Sequence, residues 1–295
     1  MAQLLPVPEQ PRHEQVTASF RQGTGSPVVL LHGVSMSWRI WDPVLPFLVG
    51  QHDVFAPTLA GHRGGPDLRP GAKPGISAMV DVLCDQLDEQ GIETAHVVGN
   101  SLGGWLGFEL ARRGRVKSLL AISPAGTWKA KRDLQRLLLM IRLGCVATGD
   151  SRFSVLARNR LVRRAALARS FAYPSRIPVD EMDSLFADLT ECEMLGALFG
   201  GGADLHQLAE FDVALCPVKI AWAERDRFIP YRRYGLPMRD VVRGAEFVML
   251  PGVGHVPMWD NPRLVARAIL EMTAEVDACY EVVPKPRRPK LRRSA

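Results

Sequence analysis

Little in this chain would staple a fold, span a membrane or hold a metal. Its five cysteines (Cys84, Cys145, Cys192, Cys216 and Cys279) are odd in number and scattered, with no pair at the spacing of a metal or redox motif. They read as reduced thiols, and the expected location is cytoplasmic. Long apolar runs are missing too, since no stretch reaches the roughly 18 uncharged apolar residues that a membrane helix needs. The first fifteen residues carry Pro6, Pro8, Glu9, Pro11 and Glu14, which argues against a cleavable export signal. There is no internal repeat, and no cluster of His, Cys and carboxylates. The expected metal and cofactor are therefore none.

The net charge of +6 is also less than it looks, because six positive charges fall in the last eleven residues. Lys285, Arg287, Arg288, Lys290, Arg292 and Arg293 account for the whole excess, so a specific nucleic-acid partner is not expected. Residues 280–295 read as a basic, disordered tail, with weak contact to an anionic surface as its one alternative to plain solvation.

What is present is a 295-residue chain, 47% hydrophobic and 23% charged, enough to bury one large core. Short β-branched runs alternate with helical patterns from residue 15 to 126, the pattern of an α/β fold with a mostly parallel sheet. The candidate strands are Val16 to Phe20, Pro27 to His32, Val54 to Pro57, Ala95 to Gly99 and Leu119 to Ser123. Val218 to Ala223 and Glu246 to Leu250 resume the style, and Arg263 to Val276 reads as a closing helix. Between the two blocks, 127–212 has helical spacing and few β-branched runs, so it reads as a helical cap inserted between core segments 15–126 and 213–279. Its charge is segregated: Thr127 to Arg176 holds twelve Lys or Arg against Asp133 and Asp150, whereas Ile177 to Asp212 holds nine acids and no Lys or Arg. The two halves are expected to pair with each other. A basic face that meets an anionic membrane, helped by apolar Leu137 to Ile141, is the rival reading.

Strand residues Ala95 to Gly99 run into Gly99-Asn100-Ser101-Leu102-Gly103-Gly104 and then the helical Trp105 to Arg112. This is the strand-turn-helix context of a nucleophile elbow. So sharp a turn crowds its neighbours, so the residues two before and two after the serine must be small. With 26 glycines the letters alone arise by chance roughly one time in ten, so the context carries the weight. A serine hydroxyl needs a base to take its proton and a carboxylate to hold that base. Downstream of Ser101 the histidines are His206, in the cap, and His255, which follows Leu250-Pro251-Gly252-Val253-Gly254 just beyond a strand. For the acid, Asp226 lies just past Val218 to Ala223. Glu224 is its nearest competitor, and Asp260 is too close to His255 in sequence to face it easily. Acyl transfer also needs two N–H groups on the oxyanion. Leu102 is the expected first donor; the loop His32-Gly33-Val34-Ser35 supplies Val34 as the second, with His32 ordering the loop and Ser35 assisting.

On these residues the chain resembles the α/β-hydrolase superfamily, its esterase- and lipase-like serine hydrolases in particular, from about Val16 to Met272. Five motifs carry the likeness: His32-Gly33, Gly61-His62-Arg63-Gly64, Gly99-Asn100-Ser101-Leu102-Gly103, Asp226 before Pro230, and Gly254-His255 before Pro257. The second departs from the usual Gly-His-Gly. The resemblance implies a cap between the sixth and seventh core strands and a Ser101-His255-Asp226 triad acting on small carboxylesters through an acyl-enzyme. It also implies an apolar acyl pocket, to which Leu137 to Ile141, Phe171, Tyr173, Leu185 and Phe186 of the cap would contribute. Members that open epoxides look similar but carry aspartate at the elbow. Hydrolases that split carbon-carbon bonds of dienoates remain an alternative, as does a ligand sensor with little turnover.

Overall fold

The computed structural model describes residues 17–148, 159–203 and 206–282. Of the expected tail 280–295, residues 280–282 instead end the closing helix, whose apolar spacing in the sequence continues to that point, and 283–295 lie outside the described residues, as does Val16. Seven strands form one sheet in the order β1-β3-β2-β4-β5-β6-β7. They are β1 (Ser19–Gln22), β2 (Ser26–Leu31), β3 (His52–Pro57), β4 (Ala95–Asn100), β5 (Val116–Ile122), β6 (Val218–Ala223) and β7 (Glu246–Leu250). All pairings are parallel except β1 with β3, so the first strand runs against the rest as an edge. Every expected strand exists, with ends displaced by up to three residues.

Alternation along the strands explains the near-continuous apolar runs. Val29, Leu31, Val97 and Leu119 enter one core layer, while Val28, Leu30, Val98 and Leu120 enter the other. A sheet covered on both faces has no polar side to expose. Helices α1 (Ile76–Glu89) and α2 (Leu102–Arg112) supply the first layer, and the long closing helix α9 (Pro262–Val282) supplies the second.

The helical insertion falls between β5 and β6, one strand earlier than the family-derived count, because seven strands are present among the described residues. It contains α3 (Lys131–Thr148), α4 (Arg160–Leu167), α5 (Val179–Thr190) and α6 (Glu193–Phe199); α7 (Tyr231–Val241) and the short α8 (Pro257–Asp260) follow in the second block. Three acids of the insertion's second half, Glu181, Asp188 and Glu191, pair with arginines of the first block. Arg39 meets Glu181 at 3.0 Å, and Arg63 meets Asp188 at 3.3 Å and Glu191 at 3.0 Å. Ser37 Oγ also donates to Asp188 at 2.6 Å. Arg63, the residue that breaks the Gly-His-Gly pattern, is thus a tie between the core and α5. No helix among the described residues is long and apolar enough to cross a membrane.

Candidate active site

Because β2, β4, β6 and β7 are parallel, the loops that leave their carboxyl ends gather on one edge of the sheet. β2 has β3 on one side and β4 on the other, so the chain's direction of winding reverses there, where α/β folds open a crevice.

Ser101 sits alone between β4 and α2 with φ 55° and ψ −114°, a backbone state that a side chain rarely adopts. Its surroundings enforce it. The Ser101 N–H donates to Ile122 O at 3.0 Å, and its carbonyl accepts from Trp105 N at 3.2 Å and Ala125 N at 2.9 Å. The flanking glycines are needed for space: a Cβ on Gly99 would lie 2.2 Å from Gly103 O, and one on Gly103 would lie 2.3 Å from Leu31 O. The requirement for small residues two before and two after the serine is met by close backbone approach.

His255 and Asp226 come from different loops, after β7 and β6. Nδ1 of His255 donates to Asp226 Oδ2 at 2.7 Å, with both side chains buried. The other carboxylate oxygen, Oδ1, accepts from Phe228 N at 2.9 Å and Ile229 N at 2.8 Å, so the acid cannot rotate away. The Phe228 ring stacks on the imidazole at 5.0 Å. Glu224 instead accepts the Gly252 N–H at 2.7 Å, and Asp260 accepts that of Gly254 at 2.7 Å. Neither competitor meets the imidazole; each holds the backbone of the loop that carries it. His206 is exposed on the insertion and lines neither of the cavities beside Ser101.

The loop after β2 packs against the elbow, where a Cβ on Gly33 would touch Ser101 Cβ at 3.4 Å. His32 Nε2 accepts from Leu59 N at 2.9 Å, so the proton is on Nδ1, which donates to Gly33 O at 2.8 Å. Burial, with His62 beside it, holds the His32 pKa well below the usual histidine range. A neutral imidazole therefore staples this loop to the one after β3. Leu102, as the first residue of α2, has no intrahelical acceptor for its N–H.

Sequence reasoning missed Asn100, the middle letter of the elbow motif. Its Nδ2 donates to Ile122 O at 3.1 Å and to the carbonyl of His255 at 2.9 Å, tying the elbow to the histidine loop. No signal in the letters marks it, since any residue fits that position of the pattern.

Two cavities meet at Ser101. The smaller, about 70 Å³, is lined by Trp105, Leu137, Leu138, Ile141, Met194 and Leu198 among others. The larger, about 170 Å³, has His255, Asn100, Ser35, Met140, Phe171 and Phe186 on its wall. Val34, Ser101, Ile141 and Phe228 line both. His255 lines only the larger. Of the insertion residues expected around the acyl group, Leu137, Leu138, Met140, Ile141, Phe171, Leu185 and Phe186 reach one cavity or the other. Leu139 and Tyr173 do not: Leu139 is exposed, because its place in the helix turns it away from Ser101, and Tyr173 faces a separate, arginine-lined cavity. Among the described residues, no group of three or more His, Cys, Asp or Glu is placed to hold a metal ion.

Residues 28–268 match the sequence model of the Alpha/beta hydrolase family. The chain belongs to that family. Among curated proteins it is 30% identical to Epoxide hydrolase EphH of Mycobacterium tuberculosis, over 68% of this chain and 95% of that protein. A Putative carbamate hydrolase RutD of Azorhizobium caulinodans is 28% identical over 70% of this chain and 76% of its own length. Among solved structures, a thermophilic esterase from Thermogutta terrifontis superposes with a TM-score of 0.67 at 22% identity, covering 88% of this chain and 93% of the esterase. At that identity the likeness is one of fold.

Proposed function

We propose that this chain is a serine hydrolase that cleaves small carboxylesters through an acyl-enzyme on Ser101. The observation that carries the reading is the buried Asp226–His255 pair opening onto the same cavity as a serine held at positive φ. Ser101 Oγ attacks the ester carbonyl while His255 Nε2 takes its proton, and Asp226 stabilises the imidazolium that forms. The N–H groups of Val34 and Leu102 receive the oxyanion. His255 then returns the proton to the departing alcohol, and water repeats the sequence on the acyl-enzyme. The steps call for no cofactor.

The proton route orients the substrate. The leaving oxygen must lie beside His255, so the alcohol portion occupies the larger cavity and the acyl chain the smaller, apolar one. Labelling by a fluorophosphonate probe tests the proposal directly. Modification at Ser101, lost in Ser101→Ala together with aryl-ester turnover, is the expected result. Folded protein that takes no label is a ligand sensor instead. Rapid turnover of dienoates with none of aryl esters reassigns the bond to carbon-carbon.

The likeness to EphH favours a second reading, epoxide opening. Chemistry weighs against it at this elbow. A carboxylate that opens an epoxide leaves an ester, whose carbonyl water can attack; a serine would leave an ether, which has no such carbonyl. Turnover of styrene oxide that survives Ser101→Ala would establish that second reading.

A further inference from the structure

On the far side of the larger cavity's wall, α4 and the loop that carries Asp226 enclose a second, polar cavity. Arg160 and Arg164 line it from α4, Arg225 and Arg227 from either side of Asp226, and Tyr173 between them. No carboxylate lines this cavity among the described residues, and none of its four guanidiniums forms an ion pair there. Arg160 and Arg164 stand four residues apart on one helix, a spacing at which like charges repel. Arg225 Nη1 donates to Tyr173 Oη at 3.0 Å, and the guanidinium of Arg176 lies 4.3 Å over the Tyr173 ring. The described residues thus converge positive charge on a concave surface and supply no acid to offset it.

We propose that this cavity binds a phosphate-type anion carried on the leaving portion of the substrate, an inference that rests on the ester reading above. Two observations support it. Phe171 lines both the arginine cavity and the cavity that His255 faces, so the two adjoin with one buried ring between them and a ligand spanning them must pass around it. The way around is a neighbouring cavity that Arg227 shares with the arginine cavity and that Arg169, Met140 and Phe228 share with the larger one. Since the leaving oxygen must sit at His255, the portion that extends toward the arginines is the alcohol and not the acyl chain. Planar guanidiniums suit a phosphate because each offers paired N–H donors to its oxygens. The arrangement leaves the acyl side apolar and the leaving side cationic.

The test compares two acetates of matched phenols, 4-acetoxyphenyl phosphate and 4-methylphenyl acetate, at low ionic strength. For the wild-type protein the ratio of kcat/KM should favour the phosphate by about tenfold or more, the scale of one hydrogen bond to a charged group. In Arg160→Gln/Arg164→Gln the ratio should fall at least about tenfold, while Arg267→Gln, on α9, leaves it unchanged. A wild-type ratio near one, or a ratio untouched by the double substitution, overturns the inference and leaves the ester reading intact. Binding of phenyl phosphate to Ser101→Ala protein, followed by calorimetry, separates the two claims from turnover. If neither ester is cleaved yet phenyl phosphate binds and the double substitution weakens it about tenfold, the anion site stands and the ester reading fails. Inorganic phosphate should inhibit 4-acetoxyphenyl phosphate competitively; non-competitive inhibition makes the anion a separate effector and overturns the assignment to the leaving group.

Discussion

The carboxylate of Asp260 accepts the backbone N–H of Gly254 at 2.7 Å, one residue before His255. The same carboxylate takes the N–H of Ala172 at 2.8 Å and of Tyr173 at 2.7 Å, and the side chain of Arg176 donates to the Asp260 carbonyl. A Cβ on Gly254 would lie 2.7 Å from Ala172 N, so the two segments are pressed together. Asp260 is fully buried, and its two oxygens together serve three backbone donors. In Asp260→Asn the amide group must point N–H at N–H on one side. The expected cost is about 3 kcal/mol, read as a lower urea midpoint, because unpaired buried donors are expensive. Activity measured on the folded fraction should fall about tenfold in kcat, as the loop that carries His255 loses an anchor. An unchanged midpoint would falsify this role.

Asp226 and Glu224 separate cleanly by what they hold. Asp226 touches the imidazole, whereas Glu224 touches only the Gly252 N–H and is exposed. Asp226→Asn should lower kcat for aryl esters by about 10⁴, the scale at which a wrong histidine tautomer disables such a site. Glu224→Gln keeps an acceptor for Gly252 and should cost less than about tenfold. Equal losses in the two variants would mean that the acid's role is shared, and a larger loss at Glu224 would reassign it.

What the sequence makes legible depends on the kind of interaction involved. Ser101, Asp226 and His255 are legible as candidates because each follows a strand and the chemistry proposed for them demands a particular side chain at each place. Asn100 and Asp260 act on backbone atoms of loops distant in sequence, and any sequence that brings those loops together would conceal them equally well. Closeness in sequence argues that Asp260 does not face His255. It does not face the ring, but it controls the loop through Gly254. Aromatic character alone puts Tyr173 at the acyl group; its hydrogen bond to Arg225 places it among the arginines instead. Opposite net charge suggests that the two halves of the insertion pair with each other. Glu181, Asp188 and Glu191 reach Arg39 and Arg63 of the first block, contacts that depend on how the insertion docks and that net charge along the sequence does not encode.

On the proposed ester reading, the smaller cavity sets a size limit on the acyl chain. At about 70 Å³ it has about half the volume of the ~150 Å³ engineered cavity that holds one benzene. Acyl groups of about two to four carbons fit without displacing Trp105 or Met194, which are buried there. Along a series of 4-nitrophenyl esters, kcat/KM should therefore peak at acetate to butyrate and fall at least about tenfold by octanoate. Met194→Ala should move the peak toward longer chains. A wild-type optimum at octanoate would place the acyl group in the larger cavity and reverse the orientation drawn from His255.

His62 makes stability depend on pH. It is buried, its Nδ1 lies 3.1 Å from Ala60 O, and its Nε2 has no partner among the described residues. Burial pushes its pKa from 6.5 down to about 4. In that window the unfolded chain binds a proton that the folded chain refuses, so stability is intact above about pH 6.5 and declines as pH falls toward 4. The full loss is about 3 kcal/mol, from roughly 1.4 kcal/mol per pH unit over the shift. His32, 5.0 Å away ring to ring and also held neutral, adds in the same direction. Urea melts at pH 7 and pH 5 should thus differ by more in the wild-type protein than in His62→Gln, in which one of the two buried imidazoles is gone. The same pH slope in both proteins would show that the cost of charging His62 is not what couples folding to acid.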